Sequence, residues 1–407
     1  MRFSGFLREN APFLSAGVLL MFCSSFGQTF FISIFAGEIR EEFSLSHGQW
    51  GLIYTLGTTA SAAVMVWAGV LTDHFRARAL GAIVLVLLAG AALMMATVSS
   101  VWILPFAIFA LRFAGQGMSV HIAVVAISRW FVATRGRALS VATIGVAIGE
   151  SLLPLTFVAL LAFVSWRWLW VGVAVFLLLM LPVLARLLRL ERTPQSVAAE
   201  NQSFGMTGRH WVRTQVITHW LFWLVVPALL APAAFSTAFF FQQVHLAETK
   251  GWAHVQLVAL FPVFTASAIT GMLCSGWLID RIGSSRLMPV YQLPMALGFV
   301  LFSMADSLTA AAVAMMFIGV AQGAGSTVPN AFWAEFYGTR HLGGIKAIAT
   351  AVMVLGTAIG PGLTGVLIDK GVMFEDQMIW IALYFCAASA LVAIGVRRAR
   401  PMLTGAA

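Results

Sequence analysis

"GVLTDHFRAR" runs from Gly69 to Arg78, and "GWLIDRIGSSR" runs from Gly276 to Arg286. Both open Gly-x-Leu-x-Asp, both follow a long apolar run, and their starts lie 207 residues apart in a chain of 407. The same polar turn, placed twice at the end of a helix-length apolar run, points to a duplicated helical unit that returns to water at equivalent places. Composition agrees. Hydrophobic residues make up 60% of the chain and charged residues 10%, against about 25% charged in soluble domains. That excludes a soluble globular protein. Apolar stretches of 18 or more residues recur from end to end, as membrane-spanning helices require. A membrane β-barrel would show weak ten-residue alternation instead. Gly and Pro sit inside the runs, where membrane helices tolerate them.

Twelve candidate helices follow, near 11–38, 48–71, 79–98, 102–128, 138–163, 167–188, 216–245, 254–275, 287–305, 308–333, 345–368 and 377–396. "RLLRLERTPQSVAAENQSFGMTGRHWVR" is the one long polar stretch, so it reads as the linker. The expected organisation is a six-helix bundle over 1–188, a cytoplasmic linker over 189–215 and a second six-helix bundle over 216–407. The amino-terminal apolar run lacks a clear small-residue cleavage site and reads as the first span rather than a signal peptide. Cys23, Cys274 and Cys386 are too scattered for a metal motif.

Basic residues orient the chain. With both termini cytoplasmic, 19 of the 24 Lys and Arg fall on cytoplasmic segments. Arg40, Arg167, Lys250 and Lys370 fall on the other side, and Arg112 is left inside a helix. Basic residues stay cytoplasmic during insertion, so this asymmetry fixes orientation and helix parity. It also accounts for the net charge of +9. The charge is spread over short loops, which does not fit nucleic-acid binding.

Further echoes support the duplication. "SFGQTFF" (Ser25–Phe31) resembles "AFSTAFF" (Ala234–Phe240), and "AGQG" (Ala114–Gly117) resembles "VAQG" (Val320–Gly323). A third Gly-x-Leu-x-Asp, "GVLID" (Gly365–Asp369), falls on the opposite side by helix parity, as inverted three-helix repeats would leave it.

On these residues the chain resembles the major facilitator superfamily over nearly its whole length. Gly69, Leu71, Asp73, Arg76 and Arg78 match the family's loop motif G-x-L-x-D-R-x-G-R-R, with His74 in place of the usual Arg. "RFAGQG" (Arg112–Gly117) resembles the family's fourth-helix motif. "RWFVATRGRALS" followed by "GVAIGESLLP" is similar to the monocarboxylate and oxalate–formate branch. That branch carries an Asp and an Arg in the eighth helix, whereas "VALFPVFTASAITGMLCSG" (Val258–Gly276) has no charge. The resemblance implies an all-α membrane protein with two pseudo-symmetric six-helix bundles. It implies a gating role for Gly69, Asp73, Arg76 and Arg78, and for Gly276, Asp280 and Arg281. The loop chemistry also stands by itself: a carboxylate favours the start of a helix, and cations favour the end of the one before.

Two ionisable residues lie deep inside the spans. Arg112 is about ten residues into its helix, roughly 15 Å at 1.5 Å per residue, near the middle of a core roughly 30 Å thick. Glu150 lies at similar depth in the next helix. A charge there costs at least about 2.5–3.5 kcal/mol, so each needs a partner. They either pair with each other, or Arg112 binds an anionic substrate while Glu150 carries a proton. At 100° per residue, Gln116 and Ser119 share a face with Arg112 and His121 lies opposite. His121 is a second proton-carrier candidate. Gln28, Gln242, Gln243, Gln322 and Asn330 are further candidates for substrate contact. The pairs Gly145/Gly149 and Gly356/Gly360 allow close helix contact, either for sliding between the halves or for packing inside one.

No P-loop and no H-E-x-x-H occurs, so the sequence reads as a non-enzyme that needs no cofactor or metal. The expected function is secondary transport of a small organic anion across the bacterial inner membrane by alternating access. A proton or an exchanged solute would drive it, and the protein would be a monomer. The alternative is an exporter of drugs or toxic compounds, using aromatics such as Phe26, Phe30, Phe239 and Phe240. A third reading, a transport-inactive sensor, fits poorly with motifs intact in both halves.

Overall fold

The computed structural model describes residues 3–69, 71–131, 134–189, 204–338 and 340–403, with side chains at all but 3–5, 73, 135–137 and 343. The described residues are helical and contain no strand. The chain divides into two compact units, Met1–Ala199 and Glu200–Ala407.

The first unit holds α1 to α6. α1 is broken into Ala11–Gly27 and Thr29–Glu42, bent by 47°. α2 is His47–Ala68, α3 is Ala77–Thr97, α4 is Val101–Trp130, α5 is Ala138–Leu161 and α6 is Trp166–Leu187. The second unit holds α7 (Trp220–Phe241), α8 (His254–Ile282), α9 (Leu293–Ser303), α10 (Leu308–Tyr337), α11 (Gly344–Asp369) and α12 (Phe374–Met402). Ten of these are long and apolar enough to cross a membrane, and the bent α1 makes eleven. The ninth expected helix, 287–305, is regular over only 11 residues. A short helix, Ser284–Leu287, and turns precede it, and Pro294 stands in its first turn, where a missing N–H costs nothing.

Local chemistry sets the ends. Ser46 and Gln49 form a reciprocal cap on α2, with bonds of 3.1 and 2.9 Å. Gly283 and Gly338, at φ 81° and 82° with ψ 158° and 169°, end α8 and α10 in a positive-φ conformation that glycine adopts without strain. Pro232 in α7 has no N–H for the carbonyl of Ala228. Tyr291 repairs the loss, donating its hydroxyl to that oxygen at 3.0 Å.

Two of the cations expected on the non-cytoplasmic side have structural duties. Arg167 pairs with Glu42 at the end of α1 and donates to the carbonyls of Ala96 and Val98 at 2.8 and 2.6 Å. Trp166 joins it, donating Nε1 to Glu42 at 3.0 Å. Lys250 donates to the carbonyl of Ser303 at 2.8 Å. The two cations thus cap the ends of α3 and α9, where exposed carbonyls carry partial negative charge.

Glycine brings the helices together. A Cβ on Gly145 would lie 2.2 Å from the carbonyl oxygen of Val18, and one on Gly149 2.0 Å from Ser25 Oγ. Equivalent atoms on Gly356 and Gly360 would lie 2.9 and 2.1 Å from the carbonyl oxygens of Leu230 and Ala234. The paired glycines therefore pack α5 on α1 and α11 on α7, each inside its own unit. Among the roles left open by their spacing, packing within a half is the one they fill. α10 meets α8 in the same way, with a Cβ on Gly323 falling 1.8 Å from the carbonyl oxygen of Ala268.

Residues 190–203 of the expected linker lie outside the described residues. Its later part folds onto the second unit. Met206 and Trp211 are buried, and the Trp211 N–H donates to the Tyr337 carbonyl at 3.2 Å.

Replacing Gly323 by valine is expected to lower the thermal unfolding midpoint of the detergent-solubilised chain sharply, by roughly 3 kcal/mol as overpacking. Gly172→Ala, with nothing within 4 Å of the new atom, should leave it unchanged.

Candidate functional site

The site begins with a change of helix type. Residues Arg112–Ser119 form a π-helical segment inside α4, a wider turn closed by i→i+5 bonds and frequent at functional positions. Ser119 shows the change: its hydroxyl donates to the carbonyl of Ala114, five residues back, at 2.8 Å. A wider turn advances fewer degrees per residue, so the face computed at 100° does not hold. Ser119 is buried against its own turn rather than standing beside Arg112.

The π turn faces the break in α1. Gly27 ends the first half of α1, and Gln28 is extended, at φ −86° and ψ 155°. A Cβ on Gly27 would fall 2.1 Å from the carbonyl oxygen of Leu111, and one on Gly115 would fall 2.6 Å from Gly27 Cα. Backbone therefore rests on backbone, which glycine alone permits. The break leaves the Gly27 carbonyl without a helical partner, and Arg112 supplies one. Arg112 is 1% exposed. Its Nη1 donates to Gly27 O and to Thr29 Oγ1, both at 3.3 Å. The guanidinium lies over the ring of Tyr54 in α2, 5.4 Å from the centroid, a cation–π arrangement. The hydroxyls of Thr29 and Tyr54 share a hydrogen bond of 2.5 Å.

These partners are a carbonyl, a hydroxyl and a ring face, and none carries a charge. Both hydrogen bonds use Nη1. The buried Nε has no hydrogen-bond partner among the described residues. Buried and unpartnered in the same way are Ser25 Oγ, in the α1 break, and Thr58 Oγ1, one turn beyond Tyr54. A low-dielectric interior penalises unmatched donors. The Nε edge of a guanidinium is also the edge that, with one Nη, takes a carboxylate in bidentate fashion.

The other candidates separate. Gln28 and Gln116 belong to the α1–α4 crossing: Gln116 N lies 3.1 Å from the position of a Cβ on Gly27, and both glutamines are half-buried. Glu150 is half-buried, next to the Gly149 that meets Ser25, and has contacts of its own. His121 lies elsewhere. Its Nε2 is 3.2 Å from the Gly69 carbonyl oxygen and 3.4 Å from Thr72 Oγ1. Arg129 acts beside it, Nη1 donating to the Thr72 carbonyl at 2.6 Å. The first polar turn is thus pinned to α4. Arg76 and Arg78 are exposed, while the Asp73 side chain lies outside the described residues.

In the second unit, Gln242 is buried and donates Nε2 to Thr364 Oγ1 at 3.2 Å, and Gln243 Oε1 is 3.2 Å from His254 Nε2. Gln322 and Asn330 are exposed, and Asn330 Nδ2 donates to the carbonyl of Ser326 at 2.7 Å. Gly276 is half-buried and Asp280 exposed. Arg281 stacks on Trp277, 4.1 Å from the ring. The turn after α8 is held by Glu335 of α10, which accepts from the Ser284 N–H at 3.0 Å and from its hydroxyl. Phe26, Phe30, Phe239 and Phe240 are all buried. Phe26 packs on Phe22, Phe31, Phe157 and Phe176, and Phe240 on Phe239, Phe261 and Phe264.

Sequence reasoning missed Thr29, Tyr54, Arg129 and Glu335. Tyr54 left one faint sign, being one of only four tyrosines; a buried tyrosine needs a partner for its hydroxyl.

The family profile described as Major Facilitator Superfamily matches residues 17–290 and 264–404. Monocarboxylate transporter 13 of Rattus norvegicus is 24% identical over 285 residues, which cover 69% of this chain and 64% of that protein. Among solved structures, a bacterial homolog of the human lysosomal transporter Spinster, inward-facing and unoccupied, superposes with a TM-score of 0.75. It is 15% identical, over 98% of this chain and 99% of that one. The nucleoside transporter NupG superposes with a TM-score of 0.71 at 14% identity, over 95% and 99%.

Thr29→Val and Tyr54→Phe should each cost about 1 kcal/mol of stability. Because the two hydroxyls bond each other, the double variant should lose less than the sum. Thermal unfolding of the four proteins measures this; strict additivity would contradict the shared bond.

Proposed function

This chain belongs to the Major Facilitator Superfamily, a family of membrane transporters, and from that premise we propose that it moves a small carboxylate-like organic anion by alternating access. The observation that supports this most is the buried Arg112. It is held by neutral groups, and its Nε has no hydrogen-bond partner among the described residues. A charge in such surroundings is stabilised by a counter-charge, and a carboxylate meets both the charge and the open donors. Gln28 and Gln116 stand at the same crossing and are the amides proposed to adjust the fit. The rat relative named as a monocarboxylate transporter points to the same ligand class.

Coupling is assigned to a proton or to an exchanged solute. Glu150 is the preferred carrier, because it follows the Gly149 that meets Ser25 beside the α1 break, whereas His121 is engaged at Gly69 and Thr72. His121 is instead read as a positioning group for the turn at Gly69–Thr72. Gln242, Gln322 and Asn330 are retained as secondary candidates, with Gln242 engaged by Thr364. The two polar turns, with Asp73, Arg76, Arg78, Asp280 and Arg281, serve as gates held by Arg129 and Glu335. Both termini are proposed to be cytoplasmic, which the distribution of basic residues supports, and the protein is proposed to reside in the inner membrane as a monomer.

The exporter reading draws no support from the four phenylalanines, which are engaged in packing. Purified protein in liposomes, given a panel of carboxylates and of lipophilic cations, should take up one carboxylate saturably. Arg112→Gln should reduce that uptake at least a hundredfold while remaining folded. Arg112→Lys, which keeps the charge and loses the fork, should raise KM more than it lowers the maximal rate. Normal uptake by folded Arg112→Gln would refute the anion site. Transport of the cations alone would favour export.

A further inference from the structure

Between residue 204 and the start of α7 the chain does more than connect. Gly205 lies against the end of α10, where a Cβ would fall 2.5 Å from the carbonyl carbon of Tyr337. Met206 is fully buried, and Trp211 is buried against Tyr337, the ring centroids 5.3 Å apart. His219 Nδ1 completes the anchor, 3.4 Å from the Tyr337 hydroxyl. Around these anchors the segment exposes four large apolar side chains, interspersed with exposed polar residues. Phe204, Ile217, Trp220 and Trp223 are 59%, 38%, 37% and 59% exposed. Trp223 turns its Nε1 back to the carbonyl of Ile217 at 2.8 Å, so its polar edge is satisfied and its ring is left to an apolar medium.

Two cations flank that apolar face. Arg209 is held over the Trp211 ring, 4.1 Å from its centroid, and Arg213 begins the short helix Arg213–Thr218. Both are exposed. The segment from Phe204 to Trp223 contains no Asp or Glu. Trp220 and Trp223 belong to α7, so the face continues directly into the surface of a membrane-spanning helix. Tryptophan and arginine together at the end of a span mark the headgroup level, where rings reach the acyl boundary and guanidinium groups reach phosphates.

We infer that Phe204–Trp223 is a docking surface for anionic phospholipid headgroups, with Arg209 and Arg213 binding the phosphate and Phe204, Ile217 and Trp223 seated at the acyl boundary. The chain between the units is thereby tied at its second end both to α10 and to the bilayer. This surface is independent of Arg112 and of what is transported.

The test uses the full chain in neutral detergent, titrated with phosphatidylglycerol or phosphatidylcholine. Lipid retention is read by native mass spectrometry, and stabilisation by the unfolding midpoint. Phosphatidylglycerol should bind in preference. Arg209→Gln with Arg213→Gln should weaken it about thirtyfold, from the usual contribution of a basic residue near an anionic surface. Arg209→Lys with Arg213→Lys should retain it, and Arg397→Gln with Arg398→Gln, at the end of α12, should leave it unchanged. If the double glutamine variant does not fold, Arg213→Gln alone should weaken binding about fivefold. Equal binding of the two lipids would overturn the inference. So would equal losses from the two arginine pairs, or full stabilisation by soluble glycerol phosphate.

Discussion

One contact organises the first unit: the Arg112 guanidinium on the carbonyl of Gly27. Each group would be costly alone. A helix broken within a span exposes a carbonyl where no water answers it, and an arginine at that depth needs acceptors. Together they settle each other's needs. Contact requires the chains to approach to backbone distance, which explains glycine on both sides of the crossing. The π turn begins at this arginine. The result is a fixed cation with one edge committed to the protein and another uncommitted.

The duplicated architecture is visible in how the helices touch. Gly145 and Gly149 of α5, packed on α1, correspond to Gly356 and Gly360 of α11, packed on α7, both pairs 211 residues apart. Arg129 and Glu335 stand 206 residues apart and hold equivalent turns with opposite chemistry. The cation takes a carbonyl at the end of a helical run, and the carboxylate takes an N–H at the start of one. Either choice complements the local backbone dipole. Duplication thus preserved positions while the chemistry at each diverged. The polar site did not stay symmetric: at the same offset of 206 Gln322 answers Gln116, but Ile318 stands where α4 has Arg112, and α10 carries no Lys or Arg.

Much of the fold was legible from residues alone. Ten spans and the polar turns follow from hydropathy and from glycine and proline placement, which are properties of short windows, whereas the first helix, expected as one run over 11–38, is broken after Gly27. The candidate site was legible only in its charge. Arg112 stood out because an ionisable residue inside an apolar run is rare at any depth. Thr29 and Tyr54 carried no such mark, since a threonine and a tyrosine in membrane helices are ordinary until something binds them. Ser119 and His121 were placed on faces of an ideal helix, and a single π turn altered the phase at which those faces lie.

The sequence by itself determined the class of protein, the alternation of spans and turns, the repeat and the presence of a deep cation. Each is written in composition or in spacing along one stretch of chain. Tertiary structure decided what the cation touches, where α1 breaks, that the paired glycines serve packing within a unit, and that Gln242 and the phenylalanines are engaged with neighbours. Those outcomes depend on groups brought together from distant positions, 83 and 85 residues away in the case of Arg112. No local pattern encodes which free carbonyl a buried donor will find.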